Sequence, residues 1–183
     1  MALLNSQARP LGSGAPDFDL PDAVSGATVS LASIKNDTGV AVLFICNHCP
    51  YVVHIEDKLV AVATEYSAKG VRFVAISSND FVTYPADAPA KMKERAAAKA
   101  FPFPYLVDED QSVAKAYGAA CTPELFLYDA RLELFYHGQF DDTRPGQGSP
   151  TGKDFRAALD QLLAGGSPPK NQRPSVGCSI KWK

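Results

Sequence analysis

Val40-Ala41-Val42-Leu43-Phe44-Ile45-Cys46-Asn47-His48-Cys49-Pro50 is the stretch that decides how this chain is read. Val40 to Cys46 is a continuous apolar run following Asp37 and Gly39. Such a run suits a central strand buried on both faces. Directly after it, Tyr51 to Lys69 has the clearest helical pattern, because Val52, Ile55, Leu59, Val62 and Tyr66 recur at spacings of three and four and share one face. Gly70 stops that helix, and Val71 to Ile76 reads as a second buried strand. The two cysteines therefore lie at a strand-to-helix junction.

Working outward, the apolar-polar alternations Ala15–Leu20 and Thr28–Leu31, around Asp22, Ser25 and Gly26, predict an N-terminal hairpin. Downstream, Asp87 is expected to cap a helix that runs through Ala100, with Pro89 near its start. Phe101 to Pro104 break it. Tyr105–Val107 is a short strand, and Gln111–Tyr117 is a short helix closed by Gly118. Leu125–Tyr128 and Leu132–His137, joined by Asp129-Ala130-Arg131, predict an antiparallel pair. A polar loop over Asp141–Gly152 leads to a last helix, Phe155–Ala164. In the tail Val176, Cys178, Ile180 and Trp182 alternate with polar or small residues, as in an extended segment docked along one face. Strands alternating with helices give a parallel core, and the late hairpin adds antiparallel strands. The expected architecture is an α/β three-layer α/β/α sandwich with a mixed sheet and an N-terminal hairpin. Its expected division is an arm over 1–14, one domain over 15–166 and a docked tail over 167–183.

Composition narrows the function. The chain has 183 residues, 46% hydrophobic and 21% charged, which is ordinary globular usage for one domain. With 18 basic against 20 acidic residues the net charge is −2, so there is no basic excess to neutralise nucleic-acid phosphates. No apolar run approaches the roughly 18 residues of a membrane helix. Met1–Gly14 lacks a charged start followed by an apolar stretch, so the expectation is a cytoplasmic protein. In a reducing compartment a close pair among the 4 cysteines points to catalysis or metal binding rather than a structural staple.

Cys46-Asn47-His48-Cys49-Pro50 beside a strand-helix-strand pattern reads as a redox motif. A thiol at a helix N-terminus faces unpaired N–H groups and the positive end of the dipole, so its pKa falls and thiolate forms near neutrality. Two intervening residues let the pair close as a disulfide. Pro50 fits the first turn, where its missing N–H costs no hydrogen bond. His48 has two readings: a cation that stabilises a neighbouring thiolate, or a solvent-facing turn residue. Two other readings of the pair are an inert buried couple and half a zinc site, but no second close Cys or His pair exists elsewhere.

The run Ala15-Pro16-Asp17-Phe18-Asp19-Leu20-Pro21, the cysteine motif, and Thr122-Pro123 before a strand together resemble the thioredoxin-fold branch of peroxiredoxins and membrane-tethered thiol reductases. The chain looks most like the peroxiredoxin-like proteins of the alkyl hydroperoxide reductase/thiol-specific antioxidant family. The likeness is carried by Cys46–Val52, Cys121–Glu124, Gly138–Asp142 and Pro174–Trp182, and it spans roughly residues 15–183. It implies a thioredoxin-like fold and a cis Pro123 facing the pair, with Thr122 before it. It also implies a strand there whose backbone groups can pair with an incoming peptide disulfide. Against the parent patterns, a thioredoxin's buried acid is replaced by Val40, and a tethered reductase's Glu by Val52. Glu56 lies two turns from Cys49. With Cys49 in a peroxiredoxin's reactive place, Cys46 replaces its Thr and Val42 its Pro, and the strand bearing Thr122 brings no Arg.

The expected catalytic residues are thus Cys46 and Cys49. Cys46, as the thiol at the helix start, attacks a substrate disulfide, and Cys49 resolves the mixed disulfide. His48, Pro50, Thr122 and Pro123 support them. Cys121 and Cys178 are possible additional redox thiols, each with the alternative of a small buried apolar residue. His54, His137 and the Asp141, Asp142 and Arg144 cluster are expected at the surface. The primary reading is a thiol–disulfide oxidoreductase; the alternatives are a thiol-dependent peroxidase and a redox sensor or metal-binding module. No cofactor and no resident metal are expected. The expected partners are a protein disulfide or peroxide substrate and a dithiol reductant such as a thioredoxin-type donor, with no nucleic acid and no membrane.

Overall fold

A computed structural model describes residues 3–183. In chain order the elements are β1 (Leu3–Asn5), β2 (Asp19–Pro21), β3 (Thr28–Ser30), α1 (Leu31–Ile34), β4 (Gly39–Phe44), α2 (Pro50–Ser67) and β5 (Arg72–Ser77). A 3-10 turn, Pro85–Asp87, precedes α3 (Pro89–Ala98) and β6 (Tyr105–Val107). The rest are α4 (Ser112–Tyr117), β7 (Cys121–Thr122), β8 (Glu124–Asp129), β9 (Leu134–Gly138), α5 (Lys153–Leu163) and β10 (Val176–Ser179).

The main sheet has the order β6-β5-β4-β8-β9. β4 pairs in parallel with β5, and β5 with β6, whereas β8 runs antiparallel to β4 and β9 antiparallel to β8. The mixed sheet of the sequence reading is therefore present. β4 is buried along its whole length because alternate side chains enter two cores. Ala41 and Leu43 join the face covered by α2, α3 and α5, with Leu59, Met92 and Phe155. Val40, Val42 and Phe44 join the face of α4 and the β2–β3 hairpin, with Tyr117 and Leu20. Each Val, Leu, Phe or Met side chain among them contributes about 1.5–3 kcal/mol of burial. Val52, Ile55, Leu59, Val62 and Tyr66 are the buried face of α2, as their spacing predicts.

A second sheet, β1-β10-β7, joins the first described residues to the tail. Cys178 lies opposite Leu3 on one side and Thr122 on the other. Gly177 permits this closeness: a Cβ there would stand 1.9 Å from the Thr122 carbonyl oxygen. Asn79 accepts from the Lys181 N–H at 2.8 Å and Gln111 donates to the Lys181 carbonyl at 2.9 Å, which holds the next residues down. The alternation in the tail does not extend to Trp182, which is 43% exposed. The strand ends at Ser179, and Trp182 lies near the Lys115 ammonium.

Candidate active site

α2 begins within one residue of the expected Tyr51. Pro50 is its first residue and Cys49 its N-cap, with φ −74° and ψ 121°. Proline disfavours helical dihedrals in the residue before it, so Cys49 stays extended and the helix starts at the ring. Cys46, expected at the helix start, lies in the preceding loop.

Both sulfurs converge on Thr122. Cys46 Sγ lies 3.4 Å from Thr122 Oγ1, and Cys49 Sγ lies 3.1 Å from the Thr122 carbonyl oxygen. The Thr122–Pro123 peptide bond is cis. A third sulfur completes the cluster, with Cys178 Sγ 2.8 Å from Cys49 Sγ. All are free thiols, and the exposures of Cys46, Cys49 and Cys178 are 2%, 0% and 5%. The implied open strand edge at Thr122 is absent, because β10 occupies it.

These contacts polarise the cluster. A hydrogen bond from the Cys46 thiol, and a second from the Cys178 thiol, outweigh burial and bring the Cys49 pKa from an ordinary 9.0 down to about 5. The N–H groups of Val52 and Cys178 add smaller contributions, although Cys49 makes no full capping hydrogen bond. The Thr122 carbonyl opposes the anion, but the donors around the sulfur outnumber it. Cys46 moves the other way: its bond to Cys49, its burial and the Asp87 carboxylate hold it well above the ordinary thiol range. Burial, then the bond to Cys49, pushes Cys178 up to about 12. These shifts lower the Cys49 thiol and raise its two sulfur neighbours.

Asp87 is the residue that the sequence reading misassigned. It is 1% exposed and caps no helix; the N-cap of α3 is Ala88, which makes no side-chain cap. Asp87 turns inward instead, accepting from Asn47 N–H at 2.8 Å, Asn79 Nδ2 at 2.8 Å and His48 Nδ1 at 2.6 Å. A carboxylate only accepts, so the His48 proton sits on Nδ1. Nε2 is then buried without a partner, and the ring stacks on Tyr84 at 5.5 Å. His48 is thus a fixed part of the loop and not a solvent-facing turn residue. Donor atoms of Cys46, His48 and Asp87 all lie within 4.8 Å of one another, a grouping that could hold a metal. Its fourth neighbour in sequence, Cys49, turns to Thr122 and Cys178 instead.

Other polar residues expected at the surface are also inside. His137 is 7% exposed, stacks on Phe126 and meets Glu124 Oε1 at 2.8 Å through Nε2. Glu124, which sequence reasoning missed, also accepts from the Ala120 and Cys121 N–H groups and lies 3.6 Å from Cys121 Sγ. Burial, with Glu124 beside it, keeps the Cys121 thiol protonated. Asp141 is buried because four donors of its own loop close on it: the Thr143 N–H and hydroxyl, and the N–H groups of Thr151 and Gly152. His54 is partly buried, with Nε2 2.9 Å from Thr143 Oγ1. A small cavity beside the site is lined by Tyr51, His54, Pro123, Thr143 and Arg144. The Arg144 guanidinium is already engaged by the Asp141 and Thr143 carbonyls and by Gln139 Oε1. Glu56 pairs bidentately with Arg95 of α3 at 2.7 Å, away from the thiols. Among the described residues no helix is long and apolar enough to cross a membrane.

The model of the AhpC/TSA family matches residues 11–137. A crystal structure of an uncharacterized conserved protein from Geobacillus kaustophilus is 51% identical, with TM-score 0.97, covering 100% of this chain and 97% of that one. Peroxidoxin BcpB from Mycobacterium tuberculosis superposes with TM-score 0.64 at 20% identity, over 84% of this chain and 96% of that one. The thioredoxin domain of a thiol-disulfide oxidoreductase from Bacteroides vulgatus superposes with TM-score 0.65 at 18% identity, over 85% and 99%. At those identities the last two show the thioredoxin fold and nothing finer. Among curated proteins none matches significantly.

Proposed function

Because this chain belongs to the AhpC/TSA family, whose chemistry is thiol-based redox, we propose that it is a thiol–disulfide oxidoreductase working through Cys46 and Cys49. The observation that carries this reading is the convergence of both sulfurs on Thr122. Two thiols that meet at one residue are poised to close a disulfide. In this reading the roles are assigned in the reverse order from the one the motif suggests, on the direction of the two shifts. Cys49, whose pKa lies near 5, is the attacking thiolate, and Cys46 keeps its proton and resolves. Cys49 Sγ displaces one sulfur of a substrate disulfide as thiolate. Cys46 Sγ then attacks Cys49 Sγ, releases the second substrate sulfur and gives up its proton to it. Two electrons pass from the pair to the substrate, and a dithiol donor restores the reduced pair.

A thiol peroxidase is the second reading, favoured by the family and by the low pKa of Cys49. Against it, Arg144 is the guanidinium in the adjoining cavity, and both of its terminal nitrogens already bond to the loop and to Gln139. The deciding experiment equilibrates the protein in dithiol–disulfide buffers and maps the cysteines by alkylation. The expected result is two-electron oxidation that yields a Cys46–Cys49 disulfide, together with a hydrogen peroxide rate no faster than that of a free thiolate. Independent alkylation of Cys46 and Cys49 under every buffer would overturn the oxidoreductase reading. A fast peroxide reaction giving sulfenic acid on Cys49 would replace it with the peroxidase.

A further inference from the structure

The pair is sealed from outside by the chain's own tail. β7 at Thr122 is a backbone edge to which another strand can add, and β10 fills it, with Cys178 opposite Thr122. The fit is close, since Gly177 lies against the Thr122 carbonyl where no Cβ would fit. This pairing delivers the Cys178 sulfur to 2.8 Å from Cys49 Sγ. Cys178 thus stands where the sulfur of a docked disulfide substrate would stand. Cys121, the neighbour of Thr122, contacts Glu124 and the Pro123 carbonyl instead.

We propose that Cys178 is a third redox-active thiol of this centre, and that Cys49 forms a disulfide with it in competition with Cys46. The proposal rests on the disulfide chemistry given above and names a second internal acceptor for it. Once Cys49 is joined to one half of a substrate disulfide, Cys178 Sγ attacks Cys49 Sγ. The Cys49–Cys178 bond forms, and the bond from Cys49 to the substrate sulfur breaks. That sulfur leaves with the electron pair and takes the proton given up by Cys178. The substrate disulfide has gained two electrons, and Cys49 and Cys178 have supplied them. The centre then has two alternative oxidised forms, and the second places the disulfide on a strand of the small β1-β10-β7 sheet instead of within the cysteine loop.

The test treats reduced Cys46→Ser with one equivalent of an aromatic disulfide such as dithiobis(nitrobenzoate), then maps disulfides by mass. The expected result is release of both aryl thiols and a Cys49–Cys178 bond. In Cys46→Ser/Cys178→Ser the release falls about twofold, because the mixed disulfide on Cys49 has no resolving partner. Wild-type protein quenched during oxidation supplies an arm that needs no substitution; there Cys49–Cys178 is expected beside Cys46–Cys49. If wild type forms Cys46–Cys49 while Cys46→Ser retains its mixed disulfide, the proposal is overturned and the oxidoreductase reading stands. Cys49–Cys178 found without any Cys46–Cys49 supports the proposal and removes the motif pair. If Cys49 forms neither bond, both fail.

Discussion

Replacing Asp87 tests whether the cysteine loop is held, and Cys46 kept protonated, by a carboxylate from outside the motif. In Asp87→Ala three donors lose their acceptor: Asn47 N–H, His48 Nδ1 and Asn79 Nδ2. Asn79 is 5% exposed, so its stranded amide costs about 1–3 kcal/mol. Asn47 and His48 are partly exposed and recruit water, so each costs about 1 kcal/mol. Relief from burying a carboxylate returns part of this, leaving a net loss of about 3 kcal/mol. For a chain of this size that corresponds to a fall in Tm of about 6–12 °C. Asp87→Asn keeps the shape and the oxygen that accepts from Asn47 but sets an amide against the His48 and Asn79 donors, which share the other oxygen, for a loss of about 2 kcal/mol. Both variants remove the negative charge that raises the Cys46 pKa, so Cys46 alkylation moves to lower pH. Urea unfolding gives the first quantity, and alkylation with mass mapping across pH gives the second. An Asp87→Ala protein within about 1 kcal/mol of wild type, or an Asp87→Asn protein with an unmoved Cys46 profile, would refute the reasoning.

Thiolate absorbance near 240 nm should show one group titrating near pH 5, absent in Cys49→Ser. Since that folded pKa lies below the unfolded value of 9.0, the stabilisation is complete above pH 9 and is lost as pH falls towards 5, so Cys49→Ser should flatten the rise of stability between those limits. Arg95→Ala leaves the Glu56 carboxylate, 3% exposed, with only Lys99 at 3.6 Å; a loss of about 2–3 kcal/mol in urea unfolding is expected, and a neutral result would show that Lys99 suffices. Gly177→Ala forces β10 off β7, costing about 1–3 kcal/mol; the Cys49 titration should then rise as its Cys178 donor withdraws, and an unchanged titration would show that the tail does not set it.

What was legible in the sequence was local. The apolar run from Val40 and the three-and-four spacing from Val52 to Tyr66 each encode a burial pattern within a few residues, realised in β4 and α2; the tail is extended as β10, but there Gly177 is buried beside Cys178 and Val176 is half-buried, so the burial does not alternate. The site was legible only as a place. Pro50 carried the information that the helix starts at its own ring, since proline disfavours helical dihedrals before it, and that rule places Cys49, not Cys46, at the N-cap. Asp87 resembled a cap because it precedes Pro89, and nothing near it in sequence tells that its partners are Asn47, His48 and Asn79. Glu124 and His137 present the same difficulty: a buried polar pair is defined by which strands become neighbours, here β8 and β9, and not by the residues beside it.

The dependence of the centre on β10 also orders events in time. Cys49 and Cys178 are 129 positions apart, and Ser6 and Ser175, bonded across the β1–β10 edge, are 169 apart. Chains emerge during synthesis from the N-terminus, so β4, α2 and β8 are all made before the strand that covers them. Throughout that interval Cys46 and Cys49 exist without the Cys178 sulfur and the strand that stand over them in the folded chain. The centre is thus completed by the last of its strands to be made.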